Sequence, residues 1–466
     1  MQDKKKIGIV GSGLVGTLLA IYLKQLGNDV EVFDRRPDMR KVGFSGRSIN
    51  LAISDRGWTA LKEAGIEQEI RALAIPMYKR AIHVVDKPLY YQPYGQGDQA
   101  IFSISRGLLN GTMIDLAEGR GVSFRFNEKI WDIDLQQARI YSGEADRQSW
   151  RPHQFDLVFG ADGAFSRVRH KMQRQSRFDY SQHFLNVGYK ELRIPPNKDG
   201  SHKLEKNSFH IWPRQDFMLI AMPNLDGSFT STLFLPYEGK YSFESLNSQD
   251  KTAGFFDQFF PDVKNEIENL TQDFFKNPTS SMVTIKCYPW IYQDKVALIG
   301  DASHAVVPFY GQGMNAGFED VKALKDLLEV HKFDWLKTLE DYQQKRKPQA
   351  DAIAELSYQN FLEMSSDTAD EEFLLRKKIE SWFAERHPDK WIPLYSRVTF
   401  SNRPYTEAIR EGARQDEIMK EILKTPGLQA NWKNQQTEEK MLDLLQNYKK
   451  TKNSKDHPVL FSTALR

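Results

Sequence analysis

The sequence predicts an α/β protein: a doubly wound, Rossmann-like domain, an antiparallel β-sheet domain inserted into it, and a C-terminal helical region. Three observations support this fold class. A strand, a glycine turn and a helix follow one another near the start, aromatic and β-branched residues dominate 184–236, and helical periodicity continues after about residue 317. With 466 residues, 40% of them hydrophobic, the chain is long enough for two or three domains.

The first domain is predicted from its opening residues. An apolar run at 7–10 is followed by "GSGLVG", by the helical pattern "TLLAIYLKQLG" and by the strand "DVEVF" at 29–33. Strand, glycine turn, helix and strand in this order are typical of a doubly wound parallel sheet. "FDLVFGADG" at 155–163 and "KVALIGDA" at 295–302 predict two more strands.

The middle of the chain has a different character. "PNLDG" separates two runs of alternating polarity, which favours an antiparallel hairpin. We find no internal repeat. The predicted domains are 1–183 for the first part of the Rossmann-like domain, 184–285 for a largely antiparallel sheet, 286–375 for the return of the first domain with a long helix, and 376–466 for the C-terminal helical region.

Composition excludes several classes of function. Lys plus Arg number 64 and Asp plus Glu 62, a net charge of +2, whereas a nucleic-acid-binding protein usually carries a basic excess. The single cysteine, Cys287, rules out an internal disulfide and fits a reducing compartment. No apolar run reaches the roughly 18 residues of a membrane span, and no signal peptide precedes the first strand. We expect a cytoplasmic protein without a membrane anchor, a metal site or a nucleic-acid partner.

Gly11, Gly13 and Gly16 form a G-x-G-x-x-G run that follows a strand and opens a helix. Glycines in this context let the backbone approach a pyrophosphate, whose charge is stabilised at the positive end of the helix. Asp34 ends the second strand, where a carboxylate can accept hydrogen bonds from a ribose diol. Because no other such run has this context, we predict one firmly bound dinucleotide and a second that binds transiently.

The stretch "GDASHAVVPFYGQGMN" at 300–315 predicts the rest of that site. Asp301 ends a buried strand and would face the middle of an extended ligand. Gly311 and Gly313 would let backbone N–H groups at a helix start lie against a flat ring. Reduced flavin carries negative charge near one carbonyl of its pyrimidine ring, which a helix N-terminus can stabilise.

Three motifs in this order, "GSGLVG", "GADG" and "GDASHAVVPFYGQG", resemble those of the group A single-component flavin monooxygenases typified by para-hydroxybenzoate hydroxylase. Within this group, "GRSINLAIS", "QPYGQGDQAIFSISR", "HIWP" and "NFLEMSS" resemble the kynurenine 3-monooxygenase family. The resemblance covers residues 7 to about 405.

The resemblance implies hydroxylation of L-kynurenine to 3-hydroxy-L-kynurenine in tryptophan degradation. Tightly bound FAD would be reduced by NADPH, a transient co-substrate, and would react with O₂ to give a C4a-hydroperoxide that transfers oxygen to the ring. No side chain is then needed as a catalytic acid or base, and we assign that role to neither His210 nor His304.

The resemblance also implies the cofactor contacts. Asp34 stands where a glutamate is expected, and Gly107 and Leu108 replace a polar pair beside the arginine of "SISR". The implied FAD contacts are Gly11, Gly13, Leu14, Gly16, Asp34, Arg35, Arg47, Arg106, Asp162, Asp301, Gly313, Met314 and Asn315.

Residues 75–100 are implied to contribute to the substrate pocket. Arg80 would pair with the substrate carboxylate, because a guanidinium fork fixes both charge and orientation. Its implied polar companions are Tyr94, Asn360, Glu363 and Tyr395. The implied walls around the ring are Met218, Ile220, Met222 and Phe234 from alternating strand positions, with Phe309, Tyr310 and Gln312 from the glycine-rich stretch.

Two alternatives stay open. One is another group A aromatic hydroxylase that acts on a phenol or a benzoate. The other, from a different class, is a non-catalytic flavin-binding protein. The sequence does not decide the oligomeric state, for which a homodimer is one alternative.

Overall fold

The computed structural model describes residues 4–42, 50–95, 97–363 and 371–452. The chain divides into two compact units, 1–365 and 366–466. The strands are β1 Lys6–Val10, β2 Asp29–Phe33, β3 Asn50–Ile53, β4 Ile75–Met77, β5 Lys79–Ile82, β6 Tyr90–Pro93, β7 Ile101–Ser105, β8 Ser123–Arg125, β9 Ile130–Asp134, β10 Arg139–Ser142, β11 Arg151–Gln154, β12 Leu157–Gly160, β13 Asp179–Ile194, β14 Ser208–Arg214, β15 Phe217–Pro223, β16 Phe229–Pro236, β17 Ser280–Tyr288, β18 Ile291–Tyr292 and β19 Val296–Leu298.

The helices of the first unit are α1 Leu14–Gln25, α2 Met39–Val42, α3 Asp55–Glu63, α4 Glu67–Arg71, α5 Arg106–Gly119, α6 Arg167–Met172, α7 Gln249–Phe259, α8 Leu270–Lys276, α9 Asp301–His304, α10 Gly313–Val330 and α11 Trp335–Leu362. Short 3₁₀ turns lie at Arg147–Ser149, Lys264–Glu266 and Pro308–Tyr310. The second unit contains α12 Glu371–Arg386, α13 Leu394–Thr399, α14 Tyr405–Leu423 and α15 Gln435–Lys452.

The predicted parallel sheet is confirmed. Its strand order is β18-β19-β12-β1-β2-β8, and β1 pairs in parallel with both β2 and β12. Ile7 and Ile9 of β1 are fully buried. Such apolar runs suit strands that are covered by helices on both faces.

The inserted sheet has the order β17-β13-β16-β15-β14-β5-β6. The predicted hairpin is confirmed, because β15 and β16 pair antiparallel on either side of the 224–228 turn. The sheet also recruits β5 and β6 from before 184, and β5 pairs in parallel with β14. This long-range pairing leaves no local signal in the sequence.

One face of this sheet forms a hydrophobic core. Trp212, Leu219 and Leu233 are fully buried there, together with Phe256 and Phe260 from α7 and the residue after it. Alternation along the strands turns their neighbours to the opposite face. Two smaller sheets, β3-β7-β4 and β11-β10-β9, complete the first unit's strands as the structure describes them.

The second unit is helical over its described residues, as predicted for the end of the chain. Its core contains Ile379, Trp391, Ile418 and Met441. Across the described ranges, every helix is too short or too polar to cross a lipid bilayer.

A buried charge network ties α10 to its neighbours. Asp320 of α10 is fully buried; it bonds to His304 Nε2 and accepts from Arg346 Nε at 2.7 Å. Glu319 pairs with Arg346 Nη2 at 3.0 Å and with the buried Arg56 Nη1 at 2.6 Å. Burial raises the pKa of Asp320, but His304 and Arg346 outweigh it and hold this pKa below its ordinary value.

We expect Asp320→Asn to lower the free energy of unfolding by about 3–5 kcal/mol, because it removes one of the two carboxylates that pair with the buried Arg346 charge and leaves Glu319 as its remaining ion-pair partner. Asp326→Asn on the same helix is the control. Its partner Lys322 is partly exposed, so it should cost less than about 1 kcal/mol. Because the pKa of Asp320 is lowered, its contribution should be present at neutral pH and lost as pH falls through that pKa. Denaturant titrations at several pH values measure both effects; equal losses in the two variants would contradict this role.

Candidate functional site

The glycine turn between β1 and α1 combines close packing with an open surface. Gly11 has φ +109°, and a Cβ there would lie 2.4 Å from the Ala161 carbonyl oxygen. A Cβ on Gly16 would lie 2.1 Å from the Gly11 carbonyl oxygen. A Cβ on Gly13, by contrast, would have no neighbour within 4 Å. Gly13 therefore leaves the start of α1, where Leu14 is its first residue, open to a ligand.

Asp34 is buried at the end of β2. Its Oδ2 accepts from Ser12 N at 3.0 Å, Ser12 Oγ at 2.7 Å and Arg36 Nη2 at 3.0 Å. Burial raises its pKa, but Arg36 and Ser12 outweigh this and hold the pKa below its usual range. Arg36, which the sequence did not single out, pairs with Asp34, whereas the Arg35 side chain is exposed. A ribose diol would have to replace the Arg36 side chain, which is 58% exposed.

Asp162 and Asp301 follow the carboxyl ends of neighbouring parallel strands, β12 and β19. Asp162 Oδ2 accepts from Arg167 N at 2.6 Å, while its buried Oδ1 has no hydrogen-bond partner among the described residues. Burial raises the pKa of Asp162. Asp301 is accessible to solvent, yet desolvation raises its pKa, with the nearby Arg106 charge opposing. Asp301 therefore reaches solvent while its carboxyl is partly surrounded by protein.

Residues 308–315, here called the 308–315 loop, comprise a 3₁₀ turn and the first residues of α10, and side-chain amides hold them in place. Gly311 has φ +66°, and α10 begins at Gly313. Asn315 Nδ2 donates to the Ala52 and Gly311 carbonyls at 2.9 and 2.8 Å, and Asn315 Oδ1 accepts from Ser54 N at 3.0 Å. Asn315 therefore holds the loop against β3, while Met314 beside it is half-buried.

These features fit FAD. The turn at Gly13 leaves space for a pyrophosphate, Asp162 keeps an unpaired buried oxygen, and the accessible Asp301 carboxyl lies near the Arg106 charge. Arg47 lies outside the described residues. The cofactor roles of the individual residues stay predictions.

The predicted wall residues of the inserted sheet share one face. Register pairs Arg80 with Phe209 and Met218 with Phe234, and paired residues point to the same side. Met218 and Phe234 pack with Val307, Ile220 and Phe309 in one cluster. Three aromatic residues that the sequence did not single out join this cluster: Tyr189, Tyr358 and Phe361. Alternation along β13 could have found Tyr189.

The predicted polar residues of the substrate pocket lie in several different elements. The Arg80 guanidinium carbon lies 5.0 Å from the ring centre of the buried Tyr94. Asn360 Nδ2 donates to the Phe309 carbonyl at 2.8 Å, so it fixes the 308–315 loop to α11. Glu363, which follows α11, is half-buried. Tyr395 lies in α13 of the second unit, and its role stays a prediction.

The remaining predicted wall residues lie in or near the 308–315 loop and at the end of β15. Tyr310 is buried, and Gln312 Nε2 donates to Ser54 Oγ at 3.5 Å. Gln312 thus contacts Ser54, the residue after β3 to which Asn315 also binds. Met222 is buried on the same face as Ile220.

Neither candidate histidine presents a ring nitrogen to the sheet face that carries Arg80. His210 is on the opposite face, with Nδ1 3.0 Å from His83 Nε2 and Nε2 2.9 Å from the Glu205 carbonyl. Burial lowers the pKa of His210 to about 4. His304 is bonded to Asp320.

The fold and the glycine turn define a FAD-binding protein, and the comparisons agree. Residues 4–357 match the family described as "FAD binding domain". A kynurenine 3-monooxygenase of Christiangramia forsetii is 63% identical over 96% of this chain and 100% of the relative, and that of Flavobacterium johnsoniae is 61% identical over the same shares. That of Dictyostelium discoideum is 42% identical over 90% of this chain and 93% of the relative. The chain belongs to the kynurenine 3-monooxygenase family of FAD-dependent monooxygenases.

Solved structures agree on the fold. The tetrameric form of 2-methyl-3-hydroxypyridine-5-carboxylic acid oxygenase superposes with a TM-score of 0.64 at 19% identity, over 80% of this chain and 96% of that chain. Pseudomonas aeruginosa PqsL in complex with 2-aminobenzoylacetate superposes with a TM-score of 0.60 at 19% identity, over 78% and 97%.

Gly13→Ala tests whether the open side of the glycine turn receives the cofactor phosphates. Since the added methyl meets no protein atom within 4 Å, the free energy of unfolding of the flavin-free protein should change by less than about 1 kcal/mol. FAD content after reconstitution should fall several-fold, because the methyl occupies the space that a phosphate needs. Absorbance of bound flavin per protein measures this. Gly254→Ala in α7, where a Cβ is equally free of neighbours, should keep its flavin; full flavin in Gly13→Ala would contradict the placement.

Proposed function

We propose that the chain hydroxylates L-kynurenine at ring carbon 3, with NADPH as electron donor and O₂ as oxidant. One observation carries the proposal. A single face of the inserted sheet presents the Arg80–Tyr94 pair and an apolar cluster of Met218, Ile220 and Phe234. This combination suits a substrate with a carboxylate at one end and an aromatic ring at the other. The family membership supports the same reaction.

Bound FAD would supply electron transfer from NADPH and the activation of O₂. The residues that would hold it are the glycine turn, Asp34, Arg106, Asp162 and Asp301. The chain's own contribution is to bind the substrate, orient its ring and exclude water from the cleft.

Arg80 would bind the substrate α-carboxylate. Its guanidinium presents donors in a fixed fork, and a carboxylate can accept two of them in parallel. The Tyr94 ring lies against the same guanidinium, with its centre 5.0 Å from Arg80 Cζ. This contact limits the orientations that Arg80 can adopt. The charge and direction of the carboxylate end are thus fixed.

The apolar cluster would enclose the ring. The Phe234 and Phe309 ring centres lie 5.2 Å apart, and those of Phe309 and Phe361 lie 4.7 Å apart. Because Asn360 anchors the Phe309 carbonyl, the aromatic wall is attached to α11 and to the 308–315 loop at once. A wall fixed in this way orients the ring relative to the loop.

No histidine is needed as a base. The amino group of an aniline ring already donates electron density to the carbon that is hydroxylated. His210 and His304 are occupied by buried hydrogen bonds. The roles left to the chain are orientation and protection from water.

Product identity tests the function directly. Incubation of the FAD-loaded protein with kynurenine, NADPH and O₂ should give a product heavier by one oxygen atom that coelutes with 3-hydroxykynurenine in liquid chromatography–mass spectrometry. Kynurenine should accelerate NADPH oxidation. Acceleration and product with 3- or 4-hydroxybenzoate but none with kynurenine would favour another aromatic hydroxylase. Absence of acceleration by every aromatic compound would favour a non-catalytic flavin-binding protein.

Arg80→Met should raise the KM for kynurenine roughly 10- to 150-fold, because it removes a charge-assisted hydrogen bond worth about 1.5–3 kcal/mol. FAD content should stay unchanged. Lys79→Met is the matched control: the neighbouring side chain points to the other face and pairs with Glu205 at 2.8 Å. Steady-state kinetics and flavin absorbance measure both. Loss of flavin in Arg80→Met, or an equal KM change in Lys79→Met, would show that Arg80 is structural.

A further inference from the structure

A six-residue turn pattern, too short to be an internal repeat of structural units, occurs twice in the chain. "PNKDGS" at 196–201, here the first turn, and "PNLDGS" at 223–228, here the second turn, differ at one position. Both fold alike: Asn197 N donates to the Ser201 carbonyl at 2.8 Å, and Asn224 N to the Ser228 carbonyl at 2.8 Å. The serine hydroxyl of each bonds to the aspartate two residues before it at 2.6 Å.

The two turns pack against each other at one end of the inserted sheet. Gly227 has φ +82°, and a Cβ there would lie 2.2 Å from the Gly200 carbonyl oxygen. His202 Nε2 lies 2.8 Å from the Asn224 carbonyl oxygen. The turns follow β13 and β15, which both pair with β16. The first turn therefore supports the second from the side.

The second turn is bound to β3 through Asn50. Asn50 Nδ2 lies 2.8 Å from Asn224 Oδ1 and 3.1 Å from the Pro223 carbonyl oxygen. Asn50 Oδ1 accepts from Thr230 Oγ1 at 3.0 Å. Ser103 of β7 adds a bond from its Oγ to the same Pro223 carbonyl at 2.8 Å. One asparagine thus contacts both strands of the hairpin that carries Met218, Met222 and Phe234.

The other end of β3 is bound to the 308–315 loop. Asn315 donates to the Ala52 carbonyl and accepts from Ser54 N. β3 is only four residues long, so about 7 Å of extended chain separates Asn50 from Ala52. β3 is short and extended, and it is hydrogen-bonded through Asn50 at one end and through Asn315 at the other. A displacement of one end should therefore move the other end by a similar amount.

We propose that Asn50 is a positioning residue that sets how the β15–β16 hairpin sits relative to the 308–315 loop. This inference rests on the proposed function. Through β3, Asn50 would fix the distance between the walls that hold the substrate ring and the loop that faces the cofactor. An error of about 1 Å in such a distance can change the rate of a chemical step by orders of magnitude.

If Asn50 sets this distance, it also determines what fraction of the NADPH consumed leads to hydroxylated substrate and what fraction leads to H₂O₂. In the coupled reaction, substrate, NADPH, H⁺ and O₂ give hydroxylated substrate, NADP⁺ and H₂O. In the uncoupled reaction, NADPH, H⁺ and O₂ give NADP⁺ and H₂O₂. A misplaced ring does not accept the oxygen atom, so the second reaction gains at the expense of the first.

The test measures product and H₂O₂ per NADPH consumed in the FAD-loaded full chain at saturating kynurenine. Asn50→Ala should lower product per NADPH on the order of twofold to tenfold, with H₂O₂ rising to match. FAD content and kynurenine-stimulated NADPH oxidation should change much less. Thr230→Val keeps the side-chain shape and removes the hydroxyl that donates to Asn50 Oδ1 and accepts from Asn224 Nδ2. It should shift the ratio in the same direction, and it keeps the test decisive if Asn50→Ala does not fold.

Asn197→Ala is the matched control. Asn197 occupies the same position in the first turn, and its side chain bonds to Ser201 Oγ and the His202 carbonyl at 3.0 and 3.3 Å. It should leave product per NADPH unchanged. The double variant Asn50→Ala/Asn224→Ala should lose less coupling than the sum of the two single losses, since the two side chains share one contact.

The outcomes separate the two proposals. A wild-type protein that forms no hydroxykynurenine contradicts the proposed function. A wild-type protein that forms it, with Asn50→Ala and Thr230→Val equally coupled, contradicts only the role of Asn50. An equal loss of coupling in Asn197→Ala would also overturn that role, because general weakening of the twin turns would then explain the effect.

Discussion

Asp320, which is hydrogen-bonded to His304 and Arg346, fixes the segment on which the rest of the site depends. His304 ends α9 and Asp320 lies in α10, so the pair closes the 308–315 loop at its two ends. Arg346 adds α11 to the same carboxylate. A buried carboxylate is costly unless it is paired and hydrogen-bonded. The arrangement is therefore strongly selective for one packing of α9, α10 and α11, and this packing determines where the loop lies.

Alternation in the inserted sheet separates structural from binding residues. Lys190 and Leu233 face the core, while Tyr189 and Phe234 face the opposite side, in the same two paired strands. The core face is filled by phenylalanines of α7 and its surroundings. A stable core behind the sheet allows the other face to carry a guanidinium and half-buried aromatic rings. The strand period thus lets one short sequence serve both stability and binding.

The sequence predicted features that depend on local chain geometry. The glycine turn at Gly11, the hairpin at 224–228 and the helix that begins at Gly313 each have a signal within a few residues. Contacts between distant segments were not predictable in this way. Arg36 rather than Arg35 reaches Asp34, and Asn50 reaches the second turn across more than 170 residues. Neither choice changes composition or periodicity, because both depend on where the sheets meet.

The predicted cofactor site contains two regions of different charge, one at the N-terminus of α1 and one at Asp162 and Asp301. The N-terminus of α1 at Gly13 offers backbone N–H groups and positive potential, which suit phosphate oxygens. Asp162 and Asp301, at neighbouring strand ends, are desolvated carboxyls with raised pKa values. They would repel a phosphate but accept hydrogen bonds from hydroxyl groups. A dinucleotide whose pyrophosphate lies between two hydroxyl-bearing sugar chains would place its phosphates at Gly13, one set of hydroxyl groups at Asp34 and the other at Asp162 and Asp301. A shift of the ligand along its length would bring phosphate oxygens against these carboxyls, so the position of the pyrophosphate is the part of the predicted binding mode that charge restricts.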